Sequence, residues 1–404
     1  MSRELVDSGI EWLGKIPVDW NMIKAKYILS ITTGKKDAIA ENSEGHYEFF
    51  TCSMENKKTD NYCFDQEALL VCGNGIVGFT RYFKGKFDAY QRTYVLGNFS
   101  KNVSPIYLKH YFNGLLRKKL EIDKVGSVID FIKLGDLQNF NIVLPDFETQ
   151  EKIASYLENK VSLIDETIEN NKKAIELLEE YKWNRISELI KCGFDSELYM
   201  SNIQYLGKIS KKFKITKLGR IFEIKKDISG KEGFDVLSIT QSGIKIKNIK
   251  SNEGQLAADY SKYQLVEVGD FAMNHMDLLT GWVDCSMYNG VTSPDYRVFR
   301  NKNKNMYHSD YFLYFLQLCY KQKIFYGMGQ GVSNLGRWRL PKENFLNTMV
   351  PVPKYEDQRK IANYLDKMVI QLDKVIGYRK QIIEKLEEYK KSLIYEAVTG
   401  KIEV

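Results

Sequence analysis

The chain has 404 residues, enough for two or three domains with cores of their own. A hydrophobic fraction of 44% with 27% charged residues describes a globular protein. No apolar stretch approaches the ~20 residues of a membrane span, so no membrane partner is expected. The net charge of +7 is mild, and the charged start MSRELVDSGIEWLGK lacks the apolar core of a secretory leader. Six cysteines at 52, 63, 72, 192, 285 and 319 form no C-x-x-C pair, and only four histidines accompany them. That usage points to reduced thiols, no metal site and a cytoplasmic location.

In chain order, a lead-in (EWLGKIPVDWNMIKAKYI, 11–28) precedes a first globular segment. There EALLVCGNGIVGFTRYF and FDAYQRTYVLG have the β-branched and aromatic content of strands, and YLKHYFNGLLRKKLEID reads as an amphipathic helix. A glycine-containing loop, GSVIDFIKLG, and a short strand lead to Pro145. From there PDFETQEKIASYLE (145–158) opens a long helix, expected from about 149 to 190, with Thr149 as its N-cap.

The same order then repeats. A second lead-in, QYLGKISKKFKITKLGRI (204–221), aligns Tyr205, Leu206, Gly207, Lys208, Ile209 and Phe213 with Trp12, Leu13, Gly14, Lys15, Ile16 and Trp20. A second globular segment carries GDFAMNHMDLLTGWVDCS and GVTSPDYRVFR as strands, HSDYFLYFLQLCYKQKIF as a helix and the loop GMGQGVSNLGRWRLP. PKYEDQRKIANYLD (353–366) then matches 145–158 at eight of fourteen positions with an offset of 208, with Asp357 as the expected N-cap. LEEYK at 178–182 recurs at 386–390 at the same offset. Between lead-in and helix the halves diverge almost completely.

Apolar residues in the first helix recur at Leu157, Val161, Ile164, Ile168, Ile175 and Leu178. In the second they recur at Leu365, Val369, Leu372, Ile376, Ile383 and Leu386. These are coiled-coil steps, and two equal stripes in one chain predict that the helices pair, antiparallel if the intervening segment folds back. Asn171 and Arg379 share one seam slot, either as a register pair or as a looser contact. The expected class is therefore α+β: two α/β domains alternating with two long helices that pair as an antiparallel coiled coil. The segments are 1–142, 143–193, 194–350 and 351–404. Their net charges are +2 (19 basic, 17 acidic), −4 (7, 11), +7 (22, 15) and +2 (11, 9). The positive charge lies in the globular segments, as expected of a protein that grips a polyanion.

The candidate DNA-binding residues are polar groups set among the strands. They are Asn74, Arg81, Gln91, Arg92 and Tyr94 in the first half. In the second they are Asn274, His275, Asp277, Tyr296, Arg297, Arg337 and Arg339, the last two flanking Trp338. Asn and Gln can pair bidentately with adenine and Arg with guanine. Lys35 and Lys36 suit phosphate contacts.

The lead-in I-E-W-L-G-K-I-P-x-x-W, the doubled (L/V)-P-x-(F/Y)-E-x-Q-x-K-I-A-x-Y-L motif and the closing LIYEAVTGKI resemble the specificity subunits of Type I restriction–modification systems. The motif departs mildly at Asp146 and Lys354, where members often carry a second proline. The globular segments then look like target-recognition domains, each reading one half of a split, asymmetric double-stranded DNA target. The resemblance implies that the paired helices set the unread spacer and dock two methyltransferase subunits, with restriction subunits joining. It implies no cofactor on this chain; S-adenosylmethionine, ATP and Mg belong to the partners, in a bacterial or archaeal cytoplasm. Two alternatives are a methyltransferase-containing enzyme and a coiled-coil scaffold that binds no DNA; the scaffold leaves two divergent, net-positive domains without a role. Ser293-Pro294-Asp295-Tyr296 lacks the second proline of an amino-methyltransferase loop, and no glycine-rich ATP loop occurs.

Overall fold

The computed structural model describes residues 4–37, 39, 41–55, 57–123, 131–248, 259–331 and 338–404. The chain divides into two compact units, residues 1–172 with 379–404, and residues 173–378. Each unit thus takes one globular segment together with part of both long helices.

In the first unit, Leu5–Asp7 pairs with Lys15–Pro17 as a hairpin, and Asn21–Lys24 pairs antiparallel with Asn141–Leu144. A six-stranded sheet follows, ordered Ser30–Thr33, Thr93–Gly97, Phe64–Cys72, Thr80–Ala89, Tyr47–Phe50, Lys57–Thr59. All its pairings are antiparallel except Tyr47–Phe50 with Thr80–Ala89. The central strand is buried on both faces because successive side chains point oppositely. Leu69 and Val71 join the main core beside helix Pro105–Asp123, while Ala68 and Leu70 join a second core with Phe50, Phe87 and Val95.

The second unit repeats the frame around a different sheet. Leu198–Met200 pairs with Lys208–Ser210, and Lys214–Lys217 with Met349–Val352. Gly14 and Gly207 occupy the same turn with φ of +70° and +61°. The sheet is four-stranded and antiparallel, ordered Phe222–Lys225, Arg297–Asn301, Phe271–Met273, Val283–Cys285. Leu237–Thr240 and Gly243–Ile246 form a separate hairpin, and helix Ser309–Lys321 covers the core.

The long helices run Phe147–Cys192 and Tyr355–Val398. Both begin before the expected caps. Asp146 is the N-cap of the first: its carboxylate accepts from Thr149 N at 3.0 Å and Thr149 Oγ1 at 2.7 Å, and its carbonyl accepts from Gln150 N. Thr149 therefore sits inside the first turn, as does Asp357, whose N–H already donates to Lys354 O at 2.9 Å. An acid one position before the first helical residue captures the free amides better than a threonine already in helical geometry. In the second helix Glu356 and Asp357 favour the positive helix end from within.

The repeated glutamine of the motif fastens each helix to its head. Gln150 is 1% exposed; its Nε2 donates to Pro145 O at 2.9 Å and Asn102 O at 3.0 Å, and its Oε1 accepts from Ser104 N at 2.9 Å. Gln358 does the same with Pro353 O, Met306 O and His308 N. Gln150→Leu would leave these buried backbone groups unpaired, at roughly 1–3 kcal/mol for each group that stays dry. We expect a loss of about 2–4 kcal/mol in denaturant unfolding. An unchanged midpoint would show the glutamine to be dispensable.

A buried tyrosine on each head helix reaches the far end of a long helix. Tyr107 Oη lies 2.7 Å from Val143 O and 3.0 Å from Val398 O. Tyr311 Oη lies 3.0 Å from Pro351 O and 2.8 Å from Ile190 O. Ile190 and Val398 are equivalent at the offset of 208, so each unit closes on its own helix start and on the end of the other helix. The final turns stop at Gly193 and Gly400, both left-handed, against Phe213 and Trp20 respectively.

The apolar stripes form the helix seam. In the first unit Leu157, Ile164 and Ile168 are buried, and Val161, Ile383 and Leu386 pack on the same core. Asn171 Oδ1 accepts from Arg379 Nη1 at 2.9 Å, and Asp165 meets Lys390 at 2.6 Å. In the second unit Leu365 and Ile376 are buried, Val369 packs on the core, and Ile175, Leu178 and Leu372 are half-buried. There Lys182 joins Asp373 at 2.7 Å and Glu179 at 2.9 Å. Within the first unit the partner number falls as the helix number rises, so the helices pair antiparallel. No helix among the described residues is long and apolar enough to cross a membrane.

Candidate nucleic-acid interface

In the first unit, strand Phe64–Cys72 ends at Gly73-Asn74 beside Gln91-Arg92, which precede strand Thr93–Gly97. Gly73 N donates to Arg92 O at 2.9 Å, and a Cβ at Gly73 would stand 2.4 Å from that oxygen, so only glycine allows this approach. Ile132 N donates to Gly73 O at 2.8 Å, Tyr94 Oη donates to Ile132 O at 3.0 Å, and Asn74 bridges to Phe131. Together Gly73, Gln91, Arg92, Tyr94, Phe131 and Ile132 line a recess of about 340 Å³. Gln91 and Arg92 are exposed, and Gln91 Nε2 makes one long bond, 3.3 Å, to Asp37. Arg92 offers a side chain with no hydrogen bond or ion pair to the described residues, in the state required of a group that reads a ligand.

Not every cationic candidate faces outward. Lys36 pairs at 2.8 Å with Asp88, which is fully buried, and is thereby committed to the fold, while Lys35 beside it is exposed. Arg81 lies half-buried between Phe50 and Phe79, its Nη2 donating to Thr51 O at 2.6 Å. It lines a separate groove of about 1220 Å³ with His110, Asn113, Glu158 and Lys390. His110 meets Glu158 at 2.8 Å; burial, helped by Lys109, brings the imidazole down to about 4 against the pull of that carboxylate, so it is neutral at pH 7.

The second unit builds the equivalent corner with other chemistry. Leu340 N donates to His275 O at 2.9 Å, and Arg297 Nη2 donates to Leu340 O at 2.9 Å. Arg297 is therefore the positional counterpart of Tyr94, fastening the returning segment to the sheet. It is 6% exposed and lies over the Phe345 ring; burial lowers its guanidinium to about 10. Burial, with the Arg297 and Arg339 cations near it, pushes His275 down to about 3, so it too is uncharged at pH 7. Asn274 and Asp277 turn back on their own loop. Asn274 Oδ1 accepts from Met276 N at 3.2 Å, and Asp277 Oδ1 accepts from Leu279 N and Thr280 N, both at 3.0 Å. Tyr296 is half-buried, its carbonyl accepting from Gln264. Arg339 is exposed on a backbone ladder with Gln330, and Trp338 packs tilted against Tyr326 with ring centres 4.7 Å apart. Arg337 lies outside the described residues.

The hairpin of the second unit is a further polar surface, outside the candidate residues named above. Its tip exposes Gln241 and Ser242, and Lys245 is exposed on the strand that follows. The signal was present as a short apolar alternation around Gln-Ser-Gly. Gly243, at φ +98°, lies where a Cβ would meet Asp284 Oδ2 at 2.7 Å. That carboxylate accepts from Ile244 N at 2.9 Å and so fixes the angle of the hairpin.

The duplicated frame has a counterpart among known families. The model of the Type I restriction modification DNA specificity domain matches residues 17–180 and again 210–388. The chain belongs to this family. The two matches of the specificity domain coincide with the two halves of the repeat. The specificity subunit of the Type I restriction enzyme EcoDI from Escherichia coli is 36% identical over 158 residues, 38% of this chain and 34% of that protein. The specificity subunit of MjaVIII from Methanocaldococcus jannaschii is 25% identical over 425 aligned positions, 96% of this chain and 94% of that one. Solved structures agree on the fold of the specificity family. A chain from a study of complex assembly and conformational transition of the type I R-M system has a TM-score of 0.69 at 13% identity, covering 96% of this chain and 99% of that one. The HsdS subunit of Thermoanaerobacter tengcongensis has a TM-score of 0.50 at 13% identity, covering 96% and 98%.

Proposed function

We propose that this chain is the non-catalytic, DNA-reading subunit of a Type I restriction–modification complex. Each globular domain contacts one half of a split, asymmetric target through the major groove, and the paired helices set the spacer. The observation that carries this reading is one frame, repeated down to Gln150/Gln358 and Tyr107/Tyr311, around two unlike domains. A repeated frame gives equivalent placement, and unlike inserts give different specificities.

In this reading Arg92 and Gln91 reach base edges in the first half, with Lys35 on phosphate. In the second, Arg339 and the hairpin tip at Gln241 and Lys245 do so. Lys36, Arg81, His275 and Arg297 hold those surfaces in place. Two methyltransferase subunits dock on the frame and restriction subunits join them; S-adenosylmethionine, ATP and Mg are bound by those partners. The seam side chains are covered, so docking falls to exposed apolar residues. These are Leu163, Ile382 and Tyr389 in the first unit and Leu177, Tyr181, Ile370 and Tyr378 in the second.

A lost bidentate guanine contact costs about 1–3 kcal/mol, or roughly five- to 150-fold. Arg92→Ala should therefore weaken binding of the assembled complex to its target by that factor, relaxing one position in one half-site while leaving thermal stability unchanged. Equal losses on all sequences would assign Arg92 to phosphate instead. The chain alone with S-adenosylmethionine should transfer no methyl group to DNA, and robust methylation by it would overturn the reading.

A further inference from the structure

We propose that Cys52 and Cys72 form a peroxide-sensitive dithiol at the reading corner of the first domain, whose disulfide weakens DNA binding by that domain. The binding half of this inference rests on the reading above; the chemistry does not.

The two thiols meet through the sheet register. Cys72 ends strand Phe64–Cys72 opposite Thr93, and Cys52, two residues beyond strand Tyr47–Phe50, places its Sγ 3.6 Å from Thr93 Oγ1. Cys52 Sγ also lies 3.3 Å from Arg92 O, and Cys72 Sγ lies 3.8 Å from Thr51 O. Each thiol therefore leans toward the other's segment. Arg81 donates to the same Thr51 oxygen, and its Nε and Nη1 are buried without a hydrogen-bond partner. The Arg81 cation acts on Cys72, where it only partly offsets the upward push of the Cys52 contact and of burial. Contact with Cys72 chiefly, with further hydrogen bonding from Asn74, Thr93 and Gly73, outweighs burial and brings Cys52 down to about 6. Cys72 itself, through the same contact and burial, and Cys63, Cys192, Cys285 and Cys319 are all pushed up instead. Cys52 is half-exposed and Cys72 buried, the arrangement of an attacking and a resolving thiol.

The chemistry balances with hydrogen peroxide as oxidant. The Cys52 thiolate attacks one peroxide oxygen, the O–O bond breaks, and the departing hydroxide takes a proton to leave as water. Cys52 is then a sulfenic acid. The Cys72 sulfur attacks it, its proton goes to the departing hydroxyl, and a second water leaves with formation of the S–S bond. The bond removes the thiol hydrogen that Cys52 donates to Arg92 O, on a segment whose Cys52 O also accepts from Ile76 N at 3.5 Å. Both contacts tie Cys52 to the loops that carry Asn74 and Arg92.

The test treats the full chain with a few equivalents of hydrogen peroxide, alkylates the remaining thiols and maps peptides by mass. We expect a Cys52–Cys72 linked peptide, two hydrogens lighter, to form before Cys63 is oxidised and to vanish with dithiothreitol. Cys72→Ser should leave a sulfenic acid at Cys52 that dimedone traps, and Cys52→Ser, at a half-exposed site, should abolish both products. Full alkylation of Cys52 and Cys72 after treatment, or faster oxidation of Cys63, would overturn the dithiol. In the assembled complex the oxidised form should bind target DNA at least tenfold more weakly, reversibly, and not in Cys52→Ser. A linked peptide with unchanged affinity would overturn the effect on binding. If Arg92→Ala still weakened binding in that case, the proposed function would stand.

Discussion

Gly400→Val is expected to destabilise the first unit by about 2–5 kcal/mol while sparing the second. Gly400 has φ +70°, and a Cβ there would lie 2.4 Å and 2.8 Å from the ring of Pro17 and 2.9 Å from Trp20. The left-handed backbone costs a β-branched residue about 1–2 kcal/mol. Forcing atoms into a packed contact adds about 1–3 kcal/mol, and a proline ring cannot swing aside. Gly9→Ala is the control. Its φ is +71° with nothing within 4 Å, so only the backbone cost of about 1 kcal/mol should appear. Hydrogen exchange would locate the damage. Protection should fall in Lys15–Pro17, Pro105–Asp123 and the last turn before Val398, and persist in Phe271–Met273 and Arg297–Asn301. Equal loss in both units would show that they unfold as one.

The second large effect concerns spacing. Four residues added to each long helix lengthen it by about 6 Å, close to two base pairs at roughly 3.4 Å each. Both helices must grow, since the seam and the polar pairs Asn171–Arg379 and Lys182–Asp373 tie them together. The complex should then prefer a target whose unread spacer is about one or two base pairs longer, with both half-sites unchanged. Binding to the original target should fall by roughly tenfold or more, since one mismatched contact position alone costs about 1–3 kcal/mol. An unchanged spacer would separate the helices from any ruler role.

The frame was legible because it is written twice. Identities such as Gln150/Gln358 and Gly14/Gly207 have one physical job in both places, a buried staple or a left-handed turn, and no other residue type does it as well. Seam periodicity gave the helix pairing for the same reason. Thr149 and Asp357 are good capping types, yet each helix is capped three residues earlier, and only the backbone shows both residues already inside the helix.

The reading surface was legible as a neighbourhood but not residue by residue. Gln91 and Arg92 flank a recess as their setting suggested, yet Arg297, the same residue type in the equivalent strand, is buried as a fastener. Tyr94 and Arg297 share a position that only the strand register reveals. His275 is polar by type, yet burial, with the Arg297 and Arg339 cations near it, keeps it neutral. A side chain's type states what it can bind; its direction depends on tertiary packing that one sequence does not display.

The central claim is that two independent readers sit on one duplicated frame. Its most direct test replaces residues 30–140 with those of a relative of different specificity and sequences the methylated DNA of cells carrying the complex. The claim predicts a target with one half changed and the other half and the spacer intact. A target altered in both halves, or in neither, would contradict it.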